Sequence, residues 1–574
     1  CWGMQYPSGP AHLAAISQKT NHAYQAAALI EDVQVKALNK LADQISLPDE
    51  GHYLVVFNPL SHTRTDVVSL PLYASIPVGK PFFQEARPFG KQWATVWRAA
   101  EAADRKLHQL PASLLDKPFR IVDLTTGQPV AHQLRELTDP RVPAPDAASR
   151  LALSKVSRNS QIGLNYDRNQ AVDVVFVADN VPSLGYKVFR IEPLTGSEPV
   201  ARAAARPADP LENAFYRIQF KDGSLQIYDK SIGRLITRKP ADFPLGQLLT
   251  RSIELATTEK ARLQDAPIIR HGPVFSSIRL RSSLSSVPQI DQELTLYHSV
   301  KRVDVASRLL KDASPLKEYY LSFPFDVADP QYRIRSVNAT IAPIADQLPG
   351  THTDAYSVGE GLSVFNDRYT VNWASLEAPV VRLGELWPGY VSQAHHGKTP
   401  VSFPHAPVRA FTSSQVYSLV SSNNFRTNFS PSYSADMLFR YSITSHPGPF
   451  LPVAFNQHSR SLAQPLTAVV VRGGHTGSLG SSYSFLSISQ PNVELVTLKA
   501  AEDGNGMILR LAETAGQSAR VQVQVNGFAV GAAFRNTGAE EPAEALEVSN
   551  NGFALPFGPF ETKTVRLRTA TAFP

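Results

Sequence analysis

Apolar and polar residues alternate with a period of two along much of this 574-residue chain, and this alternation restricts it to antiparallel β-sheets. Four successive strand-like runs lie at residues 276–284, 290–297, 303–310 and 317–325. Short turns separate these runs, and the region of roughly 300 residues that contains them has no helix signal. We therefore predict one large antiparallel supersandwich of two sheets rather than several small barrels.

A hairpin with one buried face is predicted at residues 482–513. The apolar positions of its two main strands are Val493, Leu495, Leu498, Met507, Leu509 and Leu511. The second strand alternates strictly and the first loosely. Between them, residues 502–506 supply two glycines and one asparagine, the residue types that accept the positive φ angles of a tight reversal.

Composition and charge exclude several classes of protein. Hydrophobic residues make up 43% and charged residues 18%, with 44 prolines and 32 glycines, which is typical of a strand-and-turn protein. The net charge of +6 is spread without a block of like charges, so we predict no nucleic-acid partner. No apolar run is long enough for a membrane span. A single cysteine, Cys1, excludes an internal disulfide and a thiolate metal cluster but leaves the compartment open.

The chain order predicts a helix followed by β domains. Helical spacing of apolar residues at 12–45 places Ala26, Ile30, Val33, Ala37 and Leu41 on one face. A lone helix makes no core, so this face needs a partner from the β domains or from a preceding segment. The predicted boundaries are 1–47 (helical), 51–200 (small β-sandwich), 201–210 (linker rich in Ala, Arg and Pro), 211–515 (large β-supersandwich) and 516–574 (C-terminal strands closing the sandwich).

Residues 491–513, PNVELVTLKAAEDGNGMILRLAE, resemble the C-terminal β region of glycoside hydrolase family 38, the retaining α-mannosidases. The resemblance extends over most of the chain. It is strongest at 51–72, 211–236, 423–450 and 482–513, and it is weak at 75–165. It implies a mainly β fold in which residues 1–47 are a remnant of a helical middle domain, followed by a small sandwich, a galactose mutarotase-like supersandwich and a C-terminal sandwich.

The resemblance also implies hydrolysis of terminal α-mannosides with retention, by two carboxyl groups and a zinc ion in an N-terminal barrel. No motif of that barrel occurs here, so no catalytic or metal-binding residue is assigned. The chain begins Cys1-Trp2-Gly3-Met4, which is neither a start nor a signal peptide, so we expect a C-terminal portion of a longer polypeptide. Its expected partners are the catalytic barrel of the same polypeptide and α-mannoside glycans, and the portion alone is expected to be inactive.

Five side chains are predicted to contact substrate. Lys499 and Arg510 lie in the central hairpin, where relatives place loops over the barrel mouth; the alternative is that their stems pack on the strands. Asn424, Arg426 and Asn428 lie in a segment dense in amides and aromatics, which suits sugar binding. There the alternative is capping of a long β crossover, with Phe425 and Phe429 as anchors.

Three further groups have ordinary structural explanations that we favour over chemistry. His352 and Asp354 form a His-x-Asp triplet that lacks a third zinc ligand and fits a solvated turn. His395 and His396 are adjacent, so on a strand they would point to opposite sides. Glu502, Asp503 and Glu513 flank the central hairpin and mimic a catalytic carboxylate pair, but acidic turns are ordinarily solvated.

Two other functional classes remain open at this point. A stand-alone carbohydrate-binding β-sandwich module would bind glycan without a barrel. A structural scaffold would bind no sugar and would expose an apolar patch where a barrel docks. The orphan helix at 12–45 favours a chain that needs a partner.

Overall fold

The computed structural model describes residues 10–72, 118–136, 172–195, 204–205, 210–239, 241–252, 257–314, 317–337, 339–349, 351, 353, 355–386, 410–423 and 433–569. These residues are mainly β-strands, so the predicted fold class is confirmed. They form a small sandwich, a large supersandwich and a C-terminal sandwich, with two helices.

The strands are numbered in chain order. The first seven are β1 (His52–Asn58), β2 (Arg64–Leu72), β3 (Phe119–Asp123), β4 (Pro129–Val130), β5 (His132–Glu136), β6 (Val172–Val181) and β7 (Gly185–Pro193). The next are β8 (Ala204–Ala205), β9 (Leu211–Glu212), β10 (Tyr216–Lys221), β11 (Ser224–Asp229), β12 (Arg234–Leu235), β13 (Leu248–Ser252), β14 (Thr257–Lys260), β15 (Arg262–Leu263), β16 (Ile268–His271), β17 (Phe275–Leu284), β18 (Val287–Tyr297), β19 (Val303–Lys311), β20 (Lys317–Pro324), β21 (Gln331–Ser336), β22 (Ala339–Ile341), β23 (Tyr356–Ser357), β24 (Gly361–Phe365), β25 (Tyr369–Ser375), β26 (Val380–Leu383), β27 (Gln415–Ser422) and β28 (Ala435–Pro447). The last are β29 (Thr467–Arg472), β30 (Ser482–Ser484), β31 (Leu486–Ile488), β32 (Val493–Ala500), β33 (Met507–Glu513), β34 (Ala519–Val525), β35 (Val530–Asn536), β36 (Pro542–Leu546), β37 (Gly552–Phe557) and β38 (Thr562–Thr569).

The chain begins its described part with helix α1, Pro10–Ala42. The helix ends at Ala42 rather than continuing to Ile45, because the next residues bond to a distant loop. The N–H groups of Ser46 and Leu47 donate to the carbonyls of Leu479 and His475 at 2.9 and 3.0 Å. These bonds fix the C-terminal end of α1 against the small sandwich.

The small sandwich has one sheet in the order β29-β1-β7-β3-β4, with β30 paired to β7, and a second in the order β2-β6-β5. Strand β1 is buried on both faces. Leu54 and Val56 enter the core between the two sheets, while Val55 packs on the opposite side with the end of α1. Because both faces of β1 are covered, its sequence is a continuous apolar run.

Strands β29 and β30 come from sequence far beyond the predicted end of this sandwich at residue 200. They pair with β1 and β7 in antiparallel register, for example Val55 with Val469 and Tyr186 with Tyr483. Local periodicity predicts a strand but not its partner, so these residues had been assigned to the region 211–515. The small sandwich is therefore completed by the returning chain.

The supersandwich packs a sheet in the order β22-β21-β24-β25-β28-β19-β18-β17-β16-β8, with β15 on β17, against a sheet in the order β14-β13-β20-β27-β26-β23. A smaller sheet, β12-β11-β10-β9, completes the domain. Trp373 lies fully buried in the core, with its ring 5.3 Å from those of Phe323 and Tyr441. This aromatic cluster joins β20, β25 and β28.

A second helix, α2 (Pro452–Ala463), lies on the outer face of the large sheet and contacts β24, β25 and β28. Its buried residues are Phe455, Asn456 and Ser459. Because two of these three are polar, the helix has no apolar stripe, and apolar periodicity does not predict it. Neither helix in the described part of the chain has both the length and the apolar character needed to cross a bilayer.

The C-terminal sandwich packs a sheet in the order β32-β33-β38-β35-β36 against a sheet in the order β31-β34-β37. Its core includes Leu486, at the start of β31. The sandwich thus begins near residue 486 and takes in the central hairpin, which the predicted boundary at 515 had placed with the supersandwich.

Candidate functional site

The predicted hairpin forms from β32 and β33, with Thr497 opposite Arg510 and Lys499 opposite Ile508. Gly504 and Gly506 take φ angles of 70° and 99°, as the turn prediction required. At Gly506 a Cβ would also collide with the carbonyl of Leu567, so only glycine fits there. One face of the hairpin enters the sandwich core, and the other carries Lys499 and Arg510 together.

Both cations bind the same neighbouring turn. The Lys499 ammonium lies 2.7 Å from Glu540 Oε1 and also contacts Glu502. Hydrogen bonds from Lys499 to Glu502, which has the larger effect, and to Glu540 raise the pKa of Lys499. Arg510 Nη2 donates to the carbonyl of Gly538 at 3.0 Å. The structure thus brings the two predicted residues onto one face, with these contacts inside the C-terminal sandwich. Substrate contact by them stays a prediction.

The three acidic residues of the hairpin have separate partners. Asp503 accepts two hydrogen bonds from Arg566 Nη1, at 2.7 and 2.8 Å, and this guanidinium holds the pKa of the carboxyl below its usual range. Glu502 pairs with Lys499. Glu513 is fully buried and accepts hydrogen bonds from Asn492 and three backbone N–H groups. This arrangement favours the structural explanation of these carboxylates over a catalytic pair.

Several predicted residues lie outside the described part of the chain. These are His352, Asp354, His395, His396, Asn424, Arg426 and Asn428. Sugar binding through the three residues of the amide-rich segment therefore stays a prediction.

The sequence did not predict a buried charge cluster where the supersandwich, α2 and the C-terminal sandwich meet. We call Arg335, Glu360, Arg460 and Glu494 the junction cluster. Arg335, with only 2% of its side chain exposed, binds Glu360 at 2.7 Å and Glu494 at 2.9 Å. Arg460 of α2 lies 3.1 Å from Glu360. Two guanidinium groups and two carboxylates balance their charges where water is largely excluded.

Hydrogen bonds extend the junction cluster into the small sandwich. Thr514 Oγ1 donates to Glu494 Oε1 at 3.1 Å, and the backbone N–H of Leu495 donates to Ser61 Oγ at 3.3 Å. Asn456 of α2 donates its amide to the Thr514 carbonyl at 3.1 Å. All three sandwiches and α2 therefore meet around Glu494, which fixes the central hairpin relative to the rest of the chain.

No motif marks the junction cluster in the sequence, because Arg335 and Glu494 are 159 positions apart. One weak signal exists: Arg335 lies in the strand QYRIRS on the face opposite Ile334, and both residues are buried. Arginine within a strand buried in this way requires a carboxylate partner, although the sequence does not say which one.

His62 lies beside this junction and predicts a loss of stability in acid. Burial, followed by repulsion from Arg64, lowers its pKa to about 4, and Glu494 and Asp66 only partly oppose this. In the unfolded chain His62 has a pKa near 6.5, so it takes up a proton that His62 in the folded chain excludes. Stability therefore falls as the pH drops from 6.5 towards 4. We expect His62 to account for a loss of about 1–2 kcal/mol between pH 7 and pH 5. Urea denaturation at both pH values measures it.

The matched variants are His62→Asn and His22→Asn, because His22 is exposed on α1. The first variant should flatten the pH dependence, and the second should leave it unchanged. A His62→Asn chain that loses as much stability between pH 7 and pH 5 as the parent would show that His62 is not responsible. His458, whose pKa burial also lowers to about 4, contributes further acid sensitivity.

Helix α1 leaves its predicted apolar face in solvent. Ile30 and Val33 are 67% and 65% exposed, and Ala26 and Ala37 are exposed beside them. Only the C-terminal end is covered, where Ala42 joins the core on the outer side of β1. A face of this kind is unusual on a soluble domain without a partner.

Comparison with known proteins identifies the C-terminal sandwich. Residues 492–565 match the family model described as "Glycosyl hydrolases family 38 C-terminal beta sandwich domain". Residues 492–565 therefore form a C-terminal beta sandwich domain of glycosyl hydrolase family 38. The matched range contains the hairpin on which the resemblance was based, so the predicted resemblance is confirmed. No curated protein sequence matches the chain.

Two solved structures share the fold of most of this chain. An alpha-mannosidase from Enterococcus faecalis V583 superimposes with a TM-score of 0.62 at 14% identity, covering 96% of this chain and 60% of its own. A protein in the glycosyl hydrolase family 38 from Enterococcus faecalis gives a TM-score of 0.59 at 14% identity, covering 92% of this chain and 60% of its own. The chain thus spans about 60% of the length of these structures.

The resemblance to family 38 raises the question of zinc. Within the described residues, no three His, Cys, Asp or Glu side chains lie close enough together to hold a metal ion. The acidic groups of the hairpin and the junction cluster are each paired with cations or N–H donors. These residues therefore do not fit a zinc site, and we derive no chemical step through zinc for them.

Proposed function

We propose that this chain is the C-terminal β part of a retaining α-mannosidase-like glycoside hydrolase. In this proposal a catalytic barrel of the same polypeptide hydrolyses terminal α-mannosides, with zinc bound in the barrel. The described chain supports and caps that barrel and is inactive alone. The family 38 match at residues 492–565 supports the proposal, as does a fold shared with structures of which the chain spans 60%.

The exposed face of α1 is the observation that carries this proposal. Burying a side chain such as Ile30 or Val33 contributes about 1.5–3 kcal/mol, so a partner that covers this face gains appreciable binding energy. The face runs directly into the core between α1 and β1. A segment docked there would be held against the small sandwich as well as against the helix.

The junction cluster supplies the second requirement of a cap, which is a fixed orientation. Glu494, in the central hairpin, is held by Arg335 of the large sheet and is linked through Thr514 to α2. A hairpin anchored in this way keeps a constant position relative to α1. In this proposal the β domains act as one support, and Lys499 and Arg510 contact the barrel or its substrate.

Extending the polypeptide upstream of Cys1 tests the proposal. We expect the extended protein to hydrolyse an aryl α-mannoside with retention, followed by NMR of the anomeric product, and the present chain to be inactive. In the extended protein, Ile30→Asp with Val33→Asp should lower activity at least about tenfold, because each buried carboxylate opposes docking. Gln25→Asp, on the exposed polar side of α1, is the matched control and should retain activity.

Three results would count against the proposal. An extended protein without a barrel, or one inactive on α-mannosides, would remove the assigned activity. Inversion at the anomeric carbon would remove the retaining mechanism. Full activity in the Ile30→Asp, Val33→Asp protein would mean that α1 is not the docking face.

A further inference from the structure

A pocket of about 930 Å³ opens at one edge of the supersandwich, far in sequence from the central hairpin. It lies where the chain leaves β14 of the six-stranded sheet, passes through Ala261 and enters β15 of the 11-stranded sheet. We call it the seam pocket. Its volume falls in the range of ligand-binding sites in proteins. The turn between β17 and β18 forms its opposite wall.

Glu259 reaches across the seam. It is paired with Thr250 of β13 and points from the edge of its sheet towards the facing turn. One carboxylate oxygen accepts the Ser285 backbone N–H at 2.9 Å, and the other accepts the Ser285 hydroxyl at 2.6 Å. Each oxygen keeps a further lone pair, so the carboxylate is fixed in place and still able to accept hydrogen bonds.

The other lining groups provide both donors and acceptors. Gln247 donates its amide N–H to the Ala261 carbonyl at 3.0 Å, while its buried Oε1 has no hydrogen-bond partner among the described residues. Thr258 supplies a hydroxyl, and Arg262 supplies five N–H donors at an exposed position. A ligand with several hydroxyl groups, each both donor and acceptor, satisfies such a mixed set.

Charge separates the possible ligands. Burial alone would raise the pKa of Glu259. Hydrogen bonds from Ser285 and the positive charge of nearby Lys317 lower this pKa, so the carboxylate is ionised at neutral pH. An anion would meet that carboxylate, and a cation would meet Lys260 and Arg262 in the same lining. An uncharged polyol avoids both repulsions.

We propose that the seam pocket is a non-catalytic binding site for an uncharged oligosaccharide. The site itself rests on the pocket geometry, and only the choice of mannose as the preferred sugar rests on the proposed function. Glu259 and the Gln247 carbonyl accept hydrogen bonds from sugar hydroxyls, and Thr258 and Arg262 donate to sugar oxygens. The site retains a glycan on the supersandwich, away from the central hairpin.

Saturation-transfer NMR and calorimetry on the whole chain test this with mannotriose, maltotriose, cellotriose and inorganic phosphate. We expect saturable mannotriose binding. Glu259→Gln and Arg262→Ala should each weaken it about tenfold, because each removes a hydrogen bond with a charged partner. Glu293→Gln and Arg281→Ala are the controls, since both residues form ion pairs elsewhere on neighbouring strands and do not line the pocket. Near-UV circular dichroism verifies folding of every variant.

Each outcome decides a different point. Binding that the pocket variants weaken and the control variants do not supports the site. Equal binding of maltotriose or cellotriose keeps the site but removes its mannose preference. Binding of phosphate alone, no oligosaccharide binding, or equal binding by all folded variants overturns the site. None of these results affects the test of the extended polypeptide, so failure of the pocket and failure of the hydrolase proposal are distinguishable.

Discussion

Replacing Arg335 by alanine is expected to destabilise the chain by about 3 kcal/mol or more, because it leaves two largely buried carboxylates without their main counter-charge. Arg335 lies 2.7 Å from Glu360 and 2.9 Å from Glu494, and its own side chain is almost fully buried. Arg460 remains 3.1 Å from Glu360 and compensates only in part. Urea denaturation followed by circular dichroism measures the change.

Two controls separate loss of the junction cluster from loss of any ion pair. Arg281→Ala removes a more exposed pair with Asp291 and should cost less than about 1 kcal/mol. Glu494→Gln combined with Arg335→Met removes charge from both sides and should cost less than Arg335→Ala alone. Equal stability of the Arg335→Ala chain and the parent would mean that the junction cluster contributes no net stability.

The junction cluster also shows where prediction from sequence ended. Its members belong to β21, the segment before β24, α2 and β32, which approach one another only after three sandwiches have packed. No local pattern contains that information. By contrast, the hairpin of β32 and β33 was predicted with its turn glycines, because alternation and positive φ are properties of adjacent residues.

The two helices also differ in whether local sequence predicts them. Helix α1 was predicted because Ile30 and Val33 repeat with helical spacing, and this signal survives even though the face is exposed. Helix α2 was missed because two of its three buried residues, Asn456 and Ser459, are polar. Apolar periodicity reports burial in an apolar core, so a helix that buries mainly polar side chains escapes it.

In the candidate sites, too, local features were predicted and distant partners were not. Residue type identified Lys499 and Arg510 as charged groups on a strand face, and the structure places them together. Their partners, Gly538 and Glu540, lie in another turn and were not predicted. The seam pocket was also missed, since Gln247, Glu259 and Ser285 are ordinary surface residue types until two sheets bring them to one edge.

Glu513 gives the sharpest test of the choice between a catalytic and a structural carboxylate. One of its oxygens accepts Asn492 Nδ2 and the Ala515 N–H, both at 2.9 Å, and the other accepts the N–H groups of Gly516 and Phe560 at 2.9 and 2.8 Å. In Glu513→Gln, whichever oxygen becomes an amide group leaves two of these donors facing another donor. We expect a loss of about 2–5 kcal/mol, since each buried unsatisfied donor costs about 1–3 kcal/mol.

The matched control is Glu502→Gln in the same hairpin, because that side chain is 82% exposed and pairs with Lys499, whose side chain is 35% exposed. It should change the free energy of unfolding by less than about 0.5 kcal/mol. If Glu513→Gln kept full stability, the four hydrogen bonds would not be what holds the last strands closed. If it kept stability and the extended polypeptide lost activity, Glu513 would have a chemical role. Because Glu513 accepts four hydrogen bonds, we predict the opposite. This buried carboxylate closes the hairpin, and Glu513→Gln lowers stability before it affects function.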